Sequence, residues 1–346
     1  MVDRSTSRRS FLKFGSGAAL AVAGAPLLAA CGAGASSSGA GGVTLKMSSS
    51  MSGQPGNAHS AWFGRFQQAL KKNVGDAVTV DYFPDSQLGD EAKMVQQLRM
   101  GAADMMISGS SIWSQVAPDF GVLDMGYLFD SWDQVGSALD SGAGTTLATT
   151  LQDKAGVKTL GWAFNFGARN MLTKPQVTSP ADLQQLKIRT LQAPEVIQTV
   201  NLMGAVATPL ATTEVYTSLQ TGLIDGLGHD APTILQNKWD ELAKHLALTE
   251  HIFNPLIVVV GQSSYNKIPS QHRQGFMDAA RQATEYQRGQ AVAAEEQAMS
   301  QLKSKGVTVT TVDKSAFQQR VKPLWQKFVS EHPSAQPVLD AITKLA

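Results

Sequence analysis

Two arginines carry the most informative chemistry in this sequence. Arg189 lies in the alternating run Leu186-Lys187-Ile188-Arg189-Thr190, and Arg169 follows the apolar stretch Val157 to Phe164 by way of Asn165-Phe166-Gly167-Ala168. A cation at the end of a buried strand must find an anion, because an unpaired buried charge is costly. A guanidinium does this best for a carboxylate, which its planar fork grips with two parallel bonds. The anion could belong to a small ligand or to the protein itself, and spacing alone does not choose. His229 and Asp230 stand in the same relation to the run Leu223 to Leu227. Ligands of open α/β sheets gather at such strand ends.

Other chemistries find no support. There is no G-x-S-x-G elbow, H-E-x-x-H, C-x-x-C, P-loop or dinucleotide fingerprint, and the six histidines show no i, i+4 pairing. Cys31 is the one cysteine, which excludes a disulfide and a cysteine metal site. No cofactor is expected. A net charge of +1 gives no footprint for a nucleic acid.

The elements that must position these groups alternate. Val43 to Met47 and Val78 to Phe83 read as strands, His59 to Lys72 and Glu91 to Met100 as helices, and Met105 to Ile107 as a third strand. Strand Val157 to Phe164 follows two short helices. A second alternation then runs through Ser179 to Leu183, Lys187 to Thr190, helix Glu195 to Met203, a short strand ending at Pro209, helix Thr213 to Thr221, and strands Leu223 to Leu227 and Ile252 to Gly261. This order predicts an α/β fold with helices covering sheets. Pro269 to Lys305 reads as one helix of roughly 50 Å, longer than one small lobe, so it should bridge two. Val307 to Thr310 reads as a late strand, with Phe317 to Val329 and Ala335 to Leu345 as closing helices.

The chain begins with export signals. Ser7-Arg8-Arg9-Ser10-Phe11-Leu12-Lys13 is a twin-arginine motif, followed by an apolar run from Gly15 to Ala30 that reads as a signal segment. Leu28-Ala29-Ala30-Cys31 resembles a lipobox, so residues 1–30 are expected to be removed and Cys31 lipidated. Residues 31–42 are Gly, Ala and Ser after the cysteine, a flexible tether. Together they would hold a soluble body at the outer face of the cytoplasmic membrane.

Longer motifs then add to the spacing. Phe83-Pro84-Asp85-Ser86-Gln87-Leu88-Gly89-Asp90-Glu91, Leu98-Arg99-Met100-Gly101-Ala102-Ala103-Asp104, Pro180-Ala181-Asp182-Leu183 to Lys187-Ile188-Arg189, and Glu214-Val215-Tyr216-Thr217-Ser218-Leu219-Gln220-Thr221-Gly222 with Asp225-Gly226 occur in that order. With these motifs the chain from about residue 43 onward resembles the DctP-type solute-binding proteins of TRAP transporters.

The resemblance implies a two-lobed, periplasmic-binding-protein-like fold that closes on a small carboxylate-bearing solute. The lobes are expected at 43–166 with 255–294, and at 167–254 with 295–346. It implies delivery to membrane subunits of a TRAP transporter, driven by a sodium gradient. It implies that Arg189 holds the solute carboxylate and that Arg169 is a second arginine of the site. It adds Gln192 after the arginine strand and Glu91, Ser50, Ser108 and Gly109 on the first lobe. Asn165 and Thr212 complete the candidates; Thr212 stands where relatives often place an aromatic. Gly228-His229-Asp230-Ala231-Pro232 departs from the family's usual acid-Asn pattern. An aspartate there would accept from hydroxyls and favour a sugar acid, ahead of a dicarboxylate or another organic acid. An exported enzyme acting on a small acid and a binding module for a sensor are the alternatives.

Overall fold

The computed structural model describes residues 42–345. The twin-arginine motif, the lipobox with Cys31 and the tether up to residue 41 lie outside the described residues.

The first sheet grows from the first alternation. β1 (Val43–Ser49) is followed by α1 (Ala58–Val74), β2 (Val78–Phe83), α2 (Glu91–Arg99), β3 (Met105–Gly109), α3 (Trp132–Leu139), α4 (Gly142–Ala155) and β4 (Val157–Phe164). α1 starts where the Asn57 side chain accepts the Ser60 N–H and stops at Gly75, whose φ of 64° suits a residue without Cβ. Its apolar stripe of Trp62, Phe63, Phe66 and Leu70 is buried. α2 is capped by Asp90, which accepts the Lys93 N–H. That cap puts Glu91 at the first helical position.

The second sheet uses the next stretch. β5 (Arg169–Thr173), β6 (Lys187–Thr190), α5 (Pro194–Met203), β7 (Val206–Pro209), α6 (Val215–Thr221), β8 (Gly226–His229), α7 (Ala231–Gln236) and β9 (His245–Ile252) come in that order. The chain then returns with β10 (Pro255–Gly261), α8 (Gln262–Lys267) and α9 (Ser270–Ser304), and ends with β11 (Thr308–Thr311), α10 (Lys314–Val321), α11 (Pro323–Glu331) and α12 (Gln336–Thr343). The sheets are ordered β2-β1-β3-β10-β4 and β11-β9-β5-β8-β6-β7. β10 runs antiparallel between β3 and β4, and all seven of its residues are buried, which accounts for its unbroken apolar sequence. The strands pass from one sheet to the other at 165–168 and back at 253–254.

α9 spans 35 residues. Its Phe276, Ala279, Ala280 and Ala283 join the first core, while Ala298 and Leu302 join a core of the second sheet. The helix therefore bridges both, as its length predicts. Among the described residues no helix is long and apolar enough to cross a membrane.

Several boundaries differ from expectation. β5 and β9 are not evident in the sequence, because both are central strands of mixed polarity without a clean alternation. Arg169 consequently opens a strand instead of following one. The strand expected at Leu223 to Leu227 begins only at Gly226, since Asp225 gives its N–H to the Lys187 carbonyl and its carboxylate to the Lys187 N–H. The apolar run Ile252 to Gly261 belongs to two strands, parted at Phe253-Asn254 where the chain changes sheets. Pro323 breaks the expected helix Phe317 to Val329 into α10 and α11. Phe328, Val329, Val338, Leu339 and Ile342 pack into the first core, because the apolar face of α12 lies on α3 and α4.

Candidate functional site

Arg189 sits inside β6, between β7 and β8, with Ile188 and Thr190 buried beside it. Its side chain is 1% exposed. Nε and Nη2 both donate to the Leu210 carbonyl, at 3.0 and 2.9 Å, and Nη2 also donates to Thr212 Oγ1 at 3.2 Å. Nη1 is buried without a partner. Burial, helped by Arg169, pushes the guanidinium pKa down to about 9 against the pull of Glu91 and Glu214, so it stays a cation at neutral pH.

Arg169 is equally deep, at 6% exposed. Its Nη1 donates to the Gly228 carbonyl at 2.7 Å, and its Nε has no partner. Asp230, Asp124 and Glu91 are the anions around it, yet burial outweighs them and lowers its pKa. Among the described residues neither arginine has a carboxylate within 4 Å. Two buried guanidiniums with free N–H groups and no ionic partner make a place for an anion from outside.

Facing Arg189 is the start of α2. Glu91 Oε1 accepts the Ser50 hydroxyl at 2.8 Å. Burial raises the Glu91 pKa, and the Ser50 bond and the two arginines only partly oppose it. Ser50, Glu91, Arg189, Gln192 and Thr212 line one cavity of about 100 Å³ between the two sheets. That is several times the roughly 10–15 Å³ a single water needs on the same measure. The backbone carbonyl of Gln192 accepts Gln115 Nε2–H at 3.0 Å, a bond that crosses the cleft.

The remaining sequence candidates fall elsewhere. Asp230 caps α7, accepting the Thr233 N–H at 3.0 Å and the Thr233 hydroxyl at 3.1 Å, and its Oδ2 lies 2.7 Å from His229 Nδ1. Burial and Arg169 push the His229 pKa down to about 4, so the ring is neutral and Nδ1–H is the donor. Burial pushes the Asp230 pKa up, but the bonds from His229 and Thr233 prevail and leave it lowered, so Asp230 is an anion with both oxygens engaged. Ser108 is fully buried on β3 and accepts the Trp113 indole N–H at 3.1 Å. Asn165 donates its amide to the Asn254 carbonyl at 2.7 Å, tying one crossing segment to the other. Neither these four nor Arg169 line the Arg189 cavity; Arg169 acts on Arg189 and Glu91 only through its charge.

Sequence reasoning also missed contributors. The Leu210 carbonyl orients Arg189, and a backbone oxygen leaves no trace in residue type. Ser86 lines the cavity, and it and Asp85 hold φ of 56° and 54°, a left-handed pair without glycine. Each such residue costs on the order of 1 kcal/mol. The motif Phe83 to Glu91 was the available signal for it.

Known proteins similar to this chain are plentiful. The profile of the bacterial extracellular solute-binding protein family 7, DctP, matches residues 50–332. A solute-binding protein of Verminephrobacter eiseniae is 32% identical over 272 residues, covering 78% of this chain and 81% of the relative. The 2,3-diketo-L-gulonate-binding periplasmic protein YiaO of Escherichia coli is 31% identical over 284 residues, 81% of this chain and 86% of its own. Among solved structures, a TRAP periplasmic solute-binding protein of Chromohalobacter salexigens with bound D-glucuronate superposes with a TM-score of 0.83 at 26% identity, over 87% of this chain and 100% of that one. One from Polaromonas bound to D-erythronate gives 0.82 at 26%, over 87% and 98%. The chain thus belongs to the DctP family of bacterial extracellular solute-binding proteins that serve TRAP transporters, a family of binding proteins and not of enzymes.

Proposed function

We propose that this protein captures a small hydroxylated monocarboxylate, of the sugar-acid class, for a TRAP transporter. The observation that carries this is the pair of buried cations, Arg169 and Arg189, with no carboxylate within 4 Å among the described residues. Asp230 supplies one fixed negative charge nearby, and Glu91 is biased towards its neutral form. A single carboxylate then balances the site, whereas a second would be left over. Glu91, Ser50 and Thr212 add hydroxyl-compatible partners. The sugar-acid ligands of the C. salexigens and Polaromonas proteins and of the E. coli relative support the same class. The C4-dicarboxylate-binding relative from Rhodobacter capsulatus, at 28% identity, makes dicarboxylates the next class.

In this reading the lobes are 43–166 with 255–294, and 167–254 with 295–346, whose last helices lean on the first core, and they close over the solute. Release goes to TRAP membrane subunits for sodium-coupled uptake. The protein crosses the cytoplasmic membrane by the twin-arginine route and is anchored at its outer face through Cys31; Cys31→Ser should release it from membranes into the soluble fraction, and retention would count against the anchor. The test of the main reading is a thermal-shift panel of sugar acids, dicarboxylates, keto acids, neutral sugars and polyols. A ligand at a hundred times its dissociation constant adds about 2.7 kcal/mol to stability. Sugar acids should give the largest shifts. Shifts from neutral sugars alone would overturn the reading.

A further inference from the structure

Each of the two crossings between the sheets lies against a carboxyl group that no cation balances, fully buried at one crossing and half-buried at the other. At 253–254 the acid is Asp124, fully buried at the end of the turn Pro118–Asp124. Its Oδ1 accepts the Ser111 hydroxyl at 2.6 Å and the Asn254 amide at 2.6 Å. Its Oδ2 has no partner, and neither has Asn254 Oδ1. Asp124 Oδ2 is thus a buried acceptor left without a donor, and a proton on it would remove the charge that this leaves uncompensated. The Asn254 carbonyl in turn holds Asn165 of the other crossing.

At 165–168 the acid is Glu295 of α9. Gly167, with φ of 135°, brings the backbone so close that a Cβ there would lie 2.6 Å from Glu295 Oε1. Asp230, Glu250 and Glu296 are the charges around Glu295, and Glu250 is itself paired with Lys314. Around Asp124 the charges are Glu195 of α5 and Arg169. Glu195 is buried against Gly121 with Oε2 unpartnered, and Lys327 and Glu331 of α11 and His332 just after it face it. Among the described residues neither Asp124 nor Glu295 has a cation within 4 Å. Burial pushes both pKa values up to about 7.

We infer that Asp124 and Glu295 are proton-dependent pins of the hinge, which favour the closed form when protonated and the open form when ionised. Parting the lobes lets water reach the crossings, so the open form tolerates ionised carboxylates better. The closed form then binds more protons, and closure is favoured as pH falls. This depends on the receptor reading only for the closing motion.

The test is small-angle X-ray scattering of the solute-free full chain at pH 5.5 and pH 8, with D-glucuronate calorimetry at both. The radius of gyration should be smaller at pH 5.5. D-Glucuronate should bind about fivefold or more tightly there, with net proton uptake. The double variant Asp124→Asn with Glu295→Gln, which mimics the protonated acids, should stay compact at both values and lose most of the pH dependence of binding, Glu91 of the cavity keeping the remainder. An unchanged radius in the wild-type chain, or a radius that still varies with pH in the double variant, would overturn the inference. If the double variant does not fold, Glu295→Gln alone should lose part of the pH dependence, and losing none would overturn it. If D-glucuronate fails to bind at either pH, the sugar-acid reading suffers, and the scattering decides the hinge by itself.

Discussion

Arg189 and Asp124 are both buried ionisable groups without an ionic partner, but they resolve that state in opposite ways. A guanidinium does not give up its proton near neutral pH, so Arg189 can only wait for an anion. A carboxyl group can take a proton, so Asp124 can become neutral where it stands. The cleft thus places the group that cannot be neutralised where a ligand enters, with Nη1 free and Leu210 and Thr212 fixing the rest. The hinge places the group that can be neutralised where two backbone segments cross. The teaching is that an uncompensated buried charge points to a ligand when it is permanent, and to a proton when it is not.

The comparison breaks most sharply at Arg189. Arg189→Ala should weaken binding of an acidic solute by more than a hundredfold, since truncating a buried charge-assisted pair costs about 3–5 kcal/mol. The fold should survive, and calorimetry with an unchanged dissociation constant would remove Arg189 from the site. Arg189→Lys should fall between that variant and the wild type. A lysine keeps the charge and loses the fork that meets Leu210 and the solute together; binding as weak as in the alanine variant would mean that charge alone contributes nothing.

The smallest expected effect, and one of opposite sign, is Asp124→Asn. Burial lifts this carboxyl from an ordinary 3.8 to about 7, so between those values the folded protein keeps a proton that the unfolded chain has lost. That contribution is complete below the ordinary value and is lost as pH rises through about 7. Asparagine lacks the charge at every pH. The variant should therefore be more stable than the wild type at pH 8, on the order of 1–3 kcal/mol, and the gain should shrink towards pH 5. Denaturant titration of both proteins at the two pH values checks this, and a gain independent of pH would refute the assignment. The difference between the proteins is the quantity to read. His59, His229 and His251 are pushed by burial to about 3, 4 and 3, so acid removes stability through them in both proteins.

Much of the scaffold was legible in residue types. The alternating strands of the first sheet and the long helix Ser270–Ser304 follow from local periodicity. Within the site, Arg189, Glu91, Ser50, Gln192 and Thr212 were named from their motifs, and they line one cavity. Other candidates were read correctly as polar groups near strand ends but not for their neighbours. Asp230 looked available to a solute, whereas Thr233, three residues on, and His229 occupy its oxygens. Asn165 looked like a site residue, whereas its amide reaches 89 positions along the chain to Asn254.

The sequence by itself determined the class of this protein, the covered α/β sheets, and the cations that call for a carboxylate. These depend on local pattern and on the fixed charge of arginine, which no partner can alter. Only the tertiary structure decided which charges lack partners. Arg169 is held by a carbonyl 59 positions away, Asp124 is bonded to an amide 130 positions away, and Phe328 to Ile342 return to the first core. Burial and pairing are sums over neighbours brought together by folding, and no window of residues along the chain contains them.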